Sequence, residues 1–239
     1  GVIGGYTGGR YVFTGTHFAF DDLSYHATAV GQWVSHHSIW AGPYNYHYHN
    51  PMNAEVLSLW WVLPFEQDGF AFLSGLYWLA VTCLAVFVLC GRLAAPVWLR
   101  LLILLPVLIS KHPYQQAAST FAAVDLAGPA MILAALSFLS FSSTGEQKSQ
   151  RPPYVLAGLA CGYAVGCKVP FATLVFLLMV WIWFNQRGED RFFERLRPVL
   201  VFCLAVFTAG FFWYGKNLFL TGNPVFPGQL GPLEGPLTS

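Results

Sequence analysis

From residue 69 to residue 220, apolar runs alternate with short polar stretches, at 69–90, 94–110, 122–142, 154–167, 169–185 and 198–220. A helix needs about 20 mostly apolar residues to cross a bilayer, and shorter ones serve where helices tilt or break, so the pattern predicts six crossings. The cations are divided between the ends of these runs. Arg92, Arg100, Lys148, Arg151, Arg187, Arg191, Arg195 and Arg197 fall at one set of ends, while the other set holds mainly acids and all seven histidines. By the positive-inside rule the arginine-rich ends are cytoplasmic, which puts residues 1–66, the stretch 111–125, Lys168 and the chain after Lys216 on the outer face.

Residues 1–66, ahead of these runs, are polar and aromatic. Asp21 or Asp22 can cap a helix in which Tyr25, Ala29 and Trp33, with His26 and Val30, recur at helical spacing. A second helix is predicted over 53–65. Trp40, Trp60, Trp61 and several tyrosines are the amphipathic rings that collect at a membrane interface, so both helices are expected to lie against the membrane. The expected architecture is an all-α polytopic membrane protein in three parts. These are an outer segment, 1–66, with interfacial helices; a transmembrane bundle, 67–220; and the start of a further outer loop, 221–239. Gly158, Gly162 and Gly166 repeat at four-residue spacing, a small-residue face that lets another helix approach closely. The chain opens at Gly1 with no apolar run before its polar segment and closes on a Pro/Gly-rich stretch, so it reads as a fragment.

Composition agrees with the pattern. Of 239 residues 56% are hydrophobic and 10% charged, with a mean hydropathy of +0.53, whereas soluble domains carry about 25% charged residues. The net charge of +1 and the lack of a basic cluster set aside nucleic acid as a partner. Cys83, Cys90, Cys161, Cys167 and Cys203 lie in apolar stretches without metal or disulfide spacing and read as buried thiols.

The outer segments carry the candidate chemistry. A carboxylate beside the bilayer can take a proton from an acceptor hydroxyl, and adjacent Asp21 and Asp22 would let one act while the other orients it or binds a metal. The plainer reading of the pair is a helix N-cap, and the two readings are compatible. Asp125 interrupts an apolar run, which is costly unless it faces a polar cavity or starts a helix at the water boundary. Lys111, Lys168 and Lys216 are the sparse outer cations; each could snorkel, or could hold a lipid phosphate whose negative charge grows as it leaves. Lys168 stands out because it sits between two apolar segments. His26, His36, His37, His47 and His49 match no defined metal motif, although Asp22, His26 and Asp125 are the candidate ligands if a divalent cation is used.

Four blocks resemble membrane-embedded glycosyltransferases of the GT-C class, relatives of the protein mannosyltransferases and the lipid A aminoarabinose transferases. They are FDDLSYHATAVGQW at 20–33, HNPMNAEVLSLWW at 49–61, GLACGYAVGCK at 158–168 and YGKNLFLTGNPVFP at 214–227. The resemblance implies a GT-C-like helical bundle with outer-face juxtamembrane helices, in a bacterial inner membrane with its site toward the periplasm. It implies a polyprenyl-phosphate-linked sugar donor and inverting transfer to a hydroxyl of a lipid, glycan or protein. On this basis Asp21 is the catalytic base, with Asp22 and Asp125 as companion acids, and Tyr25, His26, His49, Asn50 and Lys168 as substrate-binding residues. The family's first transmembrane helix and its later spans have no counterpart in these residues. The competing classes are a transporter or channel, which could place Asp125 and Lys168 along a substrate path but has no internal duplication to support it, and a non-catalytic subunit of a membrane complex, which leaves the acid pair unexplained.

Overall fold

A computed structural model describes residues 22–40, 46–65, 70–71, 73–109, 123–142, 153–185, 192–229 and 231–233. Asp21 and Lys111, both singled out by the sequence, lie outside the described residues. The described chain is mostly helical, with no β-strand among these residues.

Asp22–His26 forms a π-helical turn that runs into α1, Ala27–His36, and α1 stops where His37 takes a left-handed conformation and its N–H bonds back to Trp33 and Val34. After a 3₁₀ turn at Tyr46–His49, α2 covers Asn53–Val62 and tightens into a 3₁₀ turn at Leu63–Phe65. These are the two short helices expected within residues 1–66. Six further helices coincide with the six apolar runs: α3 (Leu73–Arg92), α4 (Val97–Ile109), α5 (Val124–Leu139), α6 (Tyr154–Val165), α7 (Phe171–Phe184) and α8 (Phe192–Thr221).

Helix α8 begins ahead of the predicted start at residue 198, because Pro198 sits inside it rather than opening it. Among the described residues two helices, α3 and α8, are long and apolar enough to cross a membrane by length and composition. At 1.5 Å rise per residue, α3 spans about 30 Å. The other four are apolar but shorter.

The tightest pairing is between α6 and α8, and the glycines explain it. A Cβ at Gly158 would stand 2.5 Å from the Phe202 carbonyl oxygen, and one at Gly162 would stand 2.3 Å from that of Val206, so only glycine allows the two backbones this close. Gly166 continues the stripe but faces the Asn53 side chain. Helix α5 packs between α3 and α6. Its first half joins a core containing Trp33, Met52, Trp78 and Trp213, and its second half joins a core of Leu139, Cys161, Ile182 and Phe202.

The two ends of the bundle differ in chemistry. At one end the Arg92 guanidinium lies over the Phe141 ring, and Arg100 donates from Nε to the Ala95 carbonyl across the α3–α4 turn. At the other end meet the starts of α2 and α5, the end of α6 and the last turns of α8, joined by Asn53, Gly166 and Trp213.

Candidate functional site

The site is built at this second end. His26 closes the π-helical turn, and its Nδ1–H donates to Oε1 of Glu55 on α2. Glu55 shares its helix face with Ala54, Ser58 and Val62, the side pressed onto the core, and only 1% of the residue is exposed. Its second oxygen, Oε2, is sealed from solvent and has no hydrogen-bond partner among the described residues. A buried acceptor left unmade costs about 1–3 kcal/mol, more when charged.

Beside this pair lies a cavity of about 230 Å³, walled by Tyr25, His26, Asn50, Pro51, Glu55 and Val124 together with the α6–α7 connection, Cys167 to Pro170. Lys168 on that wall is ion-paired to Oδ1 of Asp125, the second residue of α5. Both side chains are about half exposed, 44% and 46%, so the pair meets water at one edge of the cavity. The Tyr25 ring stacks on His47 at 4.6 Å.

Asn53 fixes the frame. Its backbone N–H donates to Gly166, and its Nδ2 donates to the Tyr163 and Ala209 carbonyls at 3.3 and 3.1 Å. Its Oδ1 accepts the Trp213 indole N–H at 2.8 Å, while the Tyr163 hydroxyl donates to its carbonyl. One side chain thereby ties α2 to both α6 and α8. Asn217 does the same for the preceding turn, donating from Nδ2 to the carbonyls of His49 and Phe226.

A second hollow of about 430 Å³ adjoins the first, sharing Asn50, Pro51 and Val169 and bounded by Tyr214, Asn217 and the segment from Pro224 to Gln229. A larger groove of about 590 Å³ lies between α3, α5 and α7, lined by leucines, Trp181, Ser140 and Asn185. Its lining has no ionisable side chain among the described residues, whereas the smaller cavity has several.

The structure brings together Tyr25, His26, Asn50 and Lys168 on one wall and adds Asp125 through its pair with Lys168. It does not bring His49 there: that ring is buried against Phe226 and hydrogen-bonded to Asn217. Burial lowers the His49 pKa from its usual value near 6.5; the Asn217 hydrogen bond opposes this and the nearby Lys216 charge adds to it. Lys216 also departs from the expectation of an outer cation open to a phosphate. It is 4% exposed, donates to the Ile39 carbonyl and lies 5.3 Å from the Trp213 ring centre.

No group of three or more His, Cys, Asp or Glu side chains placed to hold a metal occurs among the described residues. Asp22 belongs to the π-helical turn, and His26, the second proposed ligand, is engaged by Glu55. Glu55 is the residue that sequence reasoning passed over. The signal was present, since an acid within an otherwise apolar helix is the feature that singled out Asp125.

Fold and site together define a helical, apolar chain with an ionisable cavity where its helix ends and its first polar segment meet. The chain belongs to the family described as a domain of unknown function, DUF8201, whose family model matches residues 10–233. Neither the curated proteins nor the solved structures contain a match.

Proposed function

We propose that this chain is a multi-pass membrane glycosyltransferase of the GT-C type, taking a sugar from a polyprenyl-phosphate donor and passing it, with inversion, to an acceptor hydroxyl at the outer membrane face. The observation that carries the proposal is the convergence of Tyr25, His26, Asn50 and Lys168 on one cavity, with Asp125 held against Lys168. These residues come from four segments of the chain, three of which are in blocks that resemble the family, and Asp21 directly precedes the π-helical turn that supplies two of them.

A membrane setting is supported by what faces outward. Leu101, Leu102, Leu105 and Ile109 on α4, Phe176 and Phe184 on α7, and Leu204, Phe207 and Phe219 on α8 are all exposed. Soluble monomers rarely expose apolar patches beyond a few hundred Å², whereas lipid solvates such faces without penalty. The cavity, at the end of the bundle away from Arg92 and Arg100, then faces the exterior.

In this reading Asp21 takes the acceptor proton as the glycosidic bond breaks, and Lys168 stabilises the charge developing on the departing phosphate. Asp125 holds the lysine in place between turnovers. An acid whose oxygen already accepts from Lys168 is less available to a substrate hydroxyl, which favours Asp21 as base. The hollow bounded by Pro224 to Gln229 provides room for the acceptor beside the donor.

The test is transfer from radiolabelled polyprenyl-phosphate sugar by the protein in liposomes, with Asp21→Asn alongside. General-base loss should lower turnover by roughly 10²–10⁴-fold while donor binding persists. Near-normal transfer by Asp21→Asn would remove the base assignment. Sugar flux across the bilayer without transfer would replace the enzyme by a transporter.

A further inference from the structure

The groove of about 590 Å³ between α3, α5 and α7 takes no part in that mechanism. It follows from how the helices pack. Helix α5 lies against α3 and α6, while α7 lies against α6 and α8, which leaves α3 and α7 as the sides of a groove with α5 as its floor. Leu139 on the floor is buried, whereas Leu177 and Trp181 on α7 are exposed at the rim. A recess among leucines that is left empty forfeits van der Waals contact on one side. Hydrocarbon is the filler a bilayer supplies.

The polar part of the lining is confined to one end, where the last turns of α5 and α7 bring Ser140 and Asn185 to the groove. Trp181 and Asn185 stand four residues apart on one face of α7. Neither side chain makes a hydrogen bond to another described residue. Arg92 lies beside the same end. It comes three residues after Leu89, on the face of α3 that lines the groove, and its guanidinium is 3.8 Å from the centre of the Phe141 ring, next in the chain to Ser140. A guanidinium that meets a ring through its face keeps its N–H donors in its own plane, where their fork matches two phosphate oxygens. Arg100 provides the contrast. Its guanidinium lies over Phe87, which is two residues from Leu89 and so on the opposite face of α3.

A hydrocarbon chain with a phosphate at one end matches this layout. A wholly apolar ligand would leave the arginine unused, and a free anion would leave the leucine groove empty. We infer that the groove holds an acyl chain of a phospholipid from the leaflet on the arginine-rich side, with the lipid phosphate against Arg92 and the rest of the headgroup against Trp181 and Asn185. The inference rests on the membrane setting proposed above and not on sugar transfer, since this end of the bundle lies away from the ionisable cavity.

The experiment is native mass spectrometry of the full chain released from detergent micelles, with dipalmitoyl phosphatidylglycerol and dipalmitoylglycerol as the probes. The wild type should retain the phospholipid roughly tenfold or more tightly than the phosphate-free lipid, the difference expected for a hydrogen bond to a charged group. Arg92→Gln should abolish that preference and Arg100→Gln should keep it. Equal retention of the two lipids by the wild type, a preference that survives Arg92→Gln, or equal losses in both arginine variants would each overturn the inference.

If Arg92→Gln does not fold, phosphatidylglycerol carrying a diazirine midway along one acyl chain decides the question on the wild type. Label recovered in 136–140 or 177–185 supports the site. Label confined to other segments, or a dimer whose groove residues are shielded from label, overturns it. The two readings fail separately: lipid retention through Arg92 without sugar transfer would sink the transferase alone, and transfer by a protein that retains no phospholipid would sink the lipid site alone. Recovery of the chain in solution without detergent would overturn the lipid site together with the membrane setting.

Discussion

Asn53 and Trp213, 160 residues apart, share a 2.8 Å hydrogen bond in which the indole N–H donates to the amide oxygen at the start of α2. Two further carbonyls, of Tyr163 and Ala209, take the Asn53 amide protons. Asn53→Ala should therefore leave an indole and two carbonyls short of partners and lower stability by about 3 kcal/mol, the range for groups left unpaired on burial. Denaturant unfolding in mixed micelles measures it, and a loss below about 1 kcal/mol would mean that water replaces the amide.

Gly162 and Gly31 make a matched pair of tests. A Cβ at Gly162 would press on the Val206 carbonyl oxygen at 2.3 Å, a backbone atom that cannot swing aside, whereas at Gly31 nothing lies within 4 Å. Gly162→Ala should cost about 1–3 kcal/mol by forcing α6 from α8. Gly31→Ala, inside α1, should raise stability by about 0.5–1 kcal/mol. Thermal unfolding of both variants checks the contrast; equal effects would refute the close-approach account.

Lys168 and Asp125 are about half exposed, so their ion pair contributes at most about 1 kcal/mol to stability. Lys168→Ala should leave the melting temperature nearly unchanged; under the proposed transferase function it should also weaken capture of polyprenyl phosphate and slow transfer, since a phosphate charge would be present before and during bond breaking. A large loss of thermal stability with unaltered donor affinity would assign the pair a structural role instead.

His49 gives the pH dependence. Its folded pKa lies below the unfolded value near 6.5, so as the pH falls past that value the unfolded chain takes up a proton that the folded chain resists. Stability should be level above about pH 7 and decline on acidification below 6.5. His49→Gln should flatten that decline, as read from unfolding midpoints between pH 5 and pH 8. A wild-type profile no steeper than that of the variant would exclude His49 as the group responsible.

The helices were legible because each apolar run repeats over many residues, and the glycine stripe was legible because close approach leaves a fixed spacing. The meeting of Lys168 with Asp125 followed from both falling at the same end of the bundle. Glu55 carried the same signal as Asp125, an acid among apolar residues, but the reason for its burial was not legible. Its helix face, with Ala54 and Ser58, has no apolar periodicity, and the burial of the acid makes sense only once α1 brings His26 across to it. Lys216 and His49 misled for a related reason. Hydropathy assigns a polar residue near a helix end to the water boundary, while here Ile39, Trp213, Asn217 and Phe226 enclose them from other parts of the chain.

The π-helical turn at Asp22–His26 also acts as a spacer. A π turn holds one residue more than the α turn it interrupts, and such turns recur at functional positions. That extra residue sets the angular offset between the cavity-facing rings of Tyr25 and His26 and the core-facing Ala29, Val30 and Trp33. Removing one residue from 22–26 would let an ordinary α-helix run through and would rotate one set of side chains against the other. Either the aromatic pair leaves the cavity or Trp33 leaves Trp213. Sequence length in this short stretch is therefore as constrained as residue identity, and relatives that keep the chemistry should tolerate substitutions here more readily than deletions.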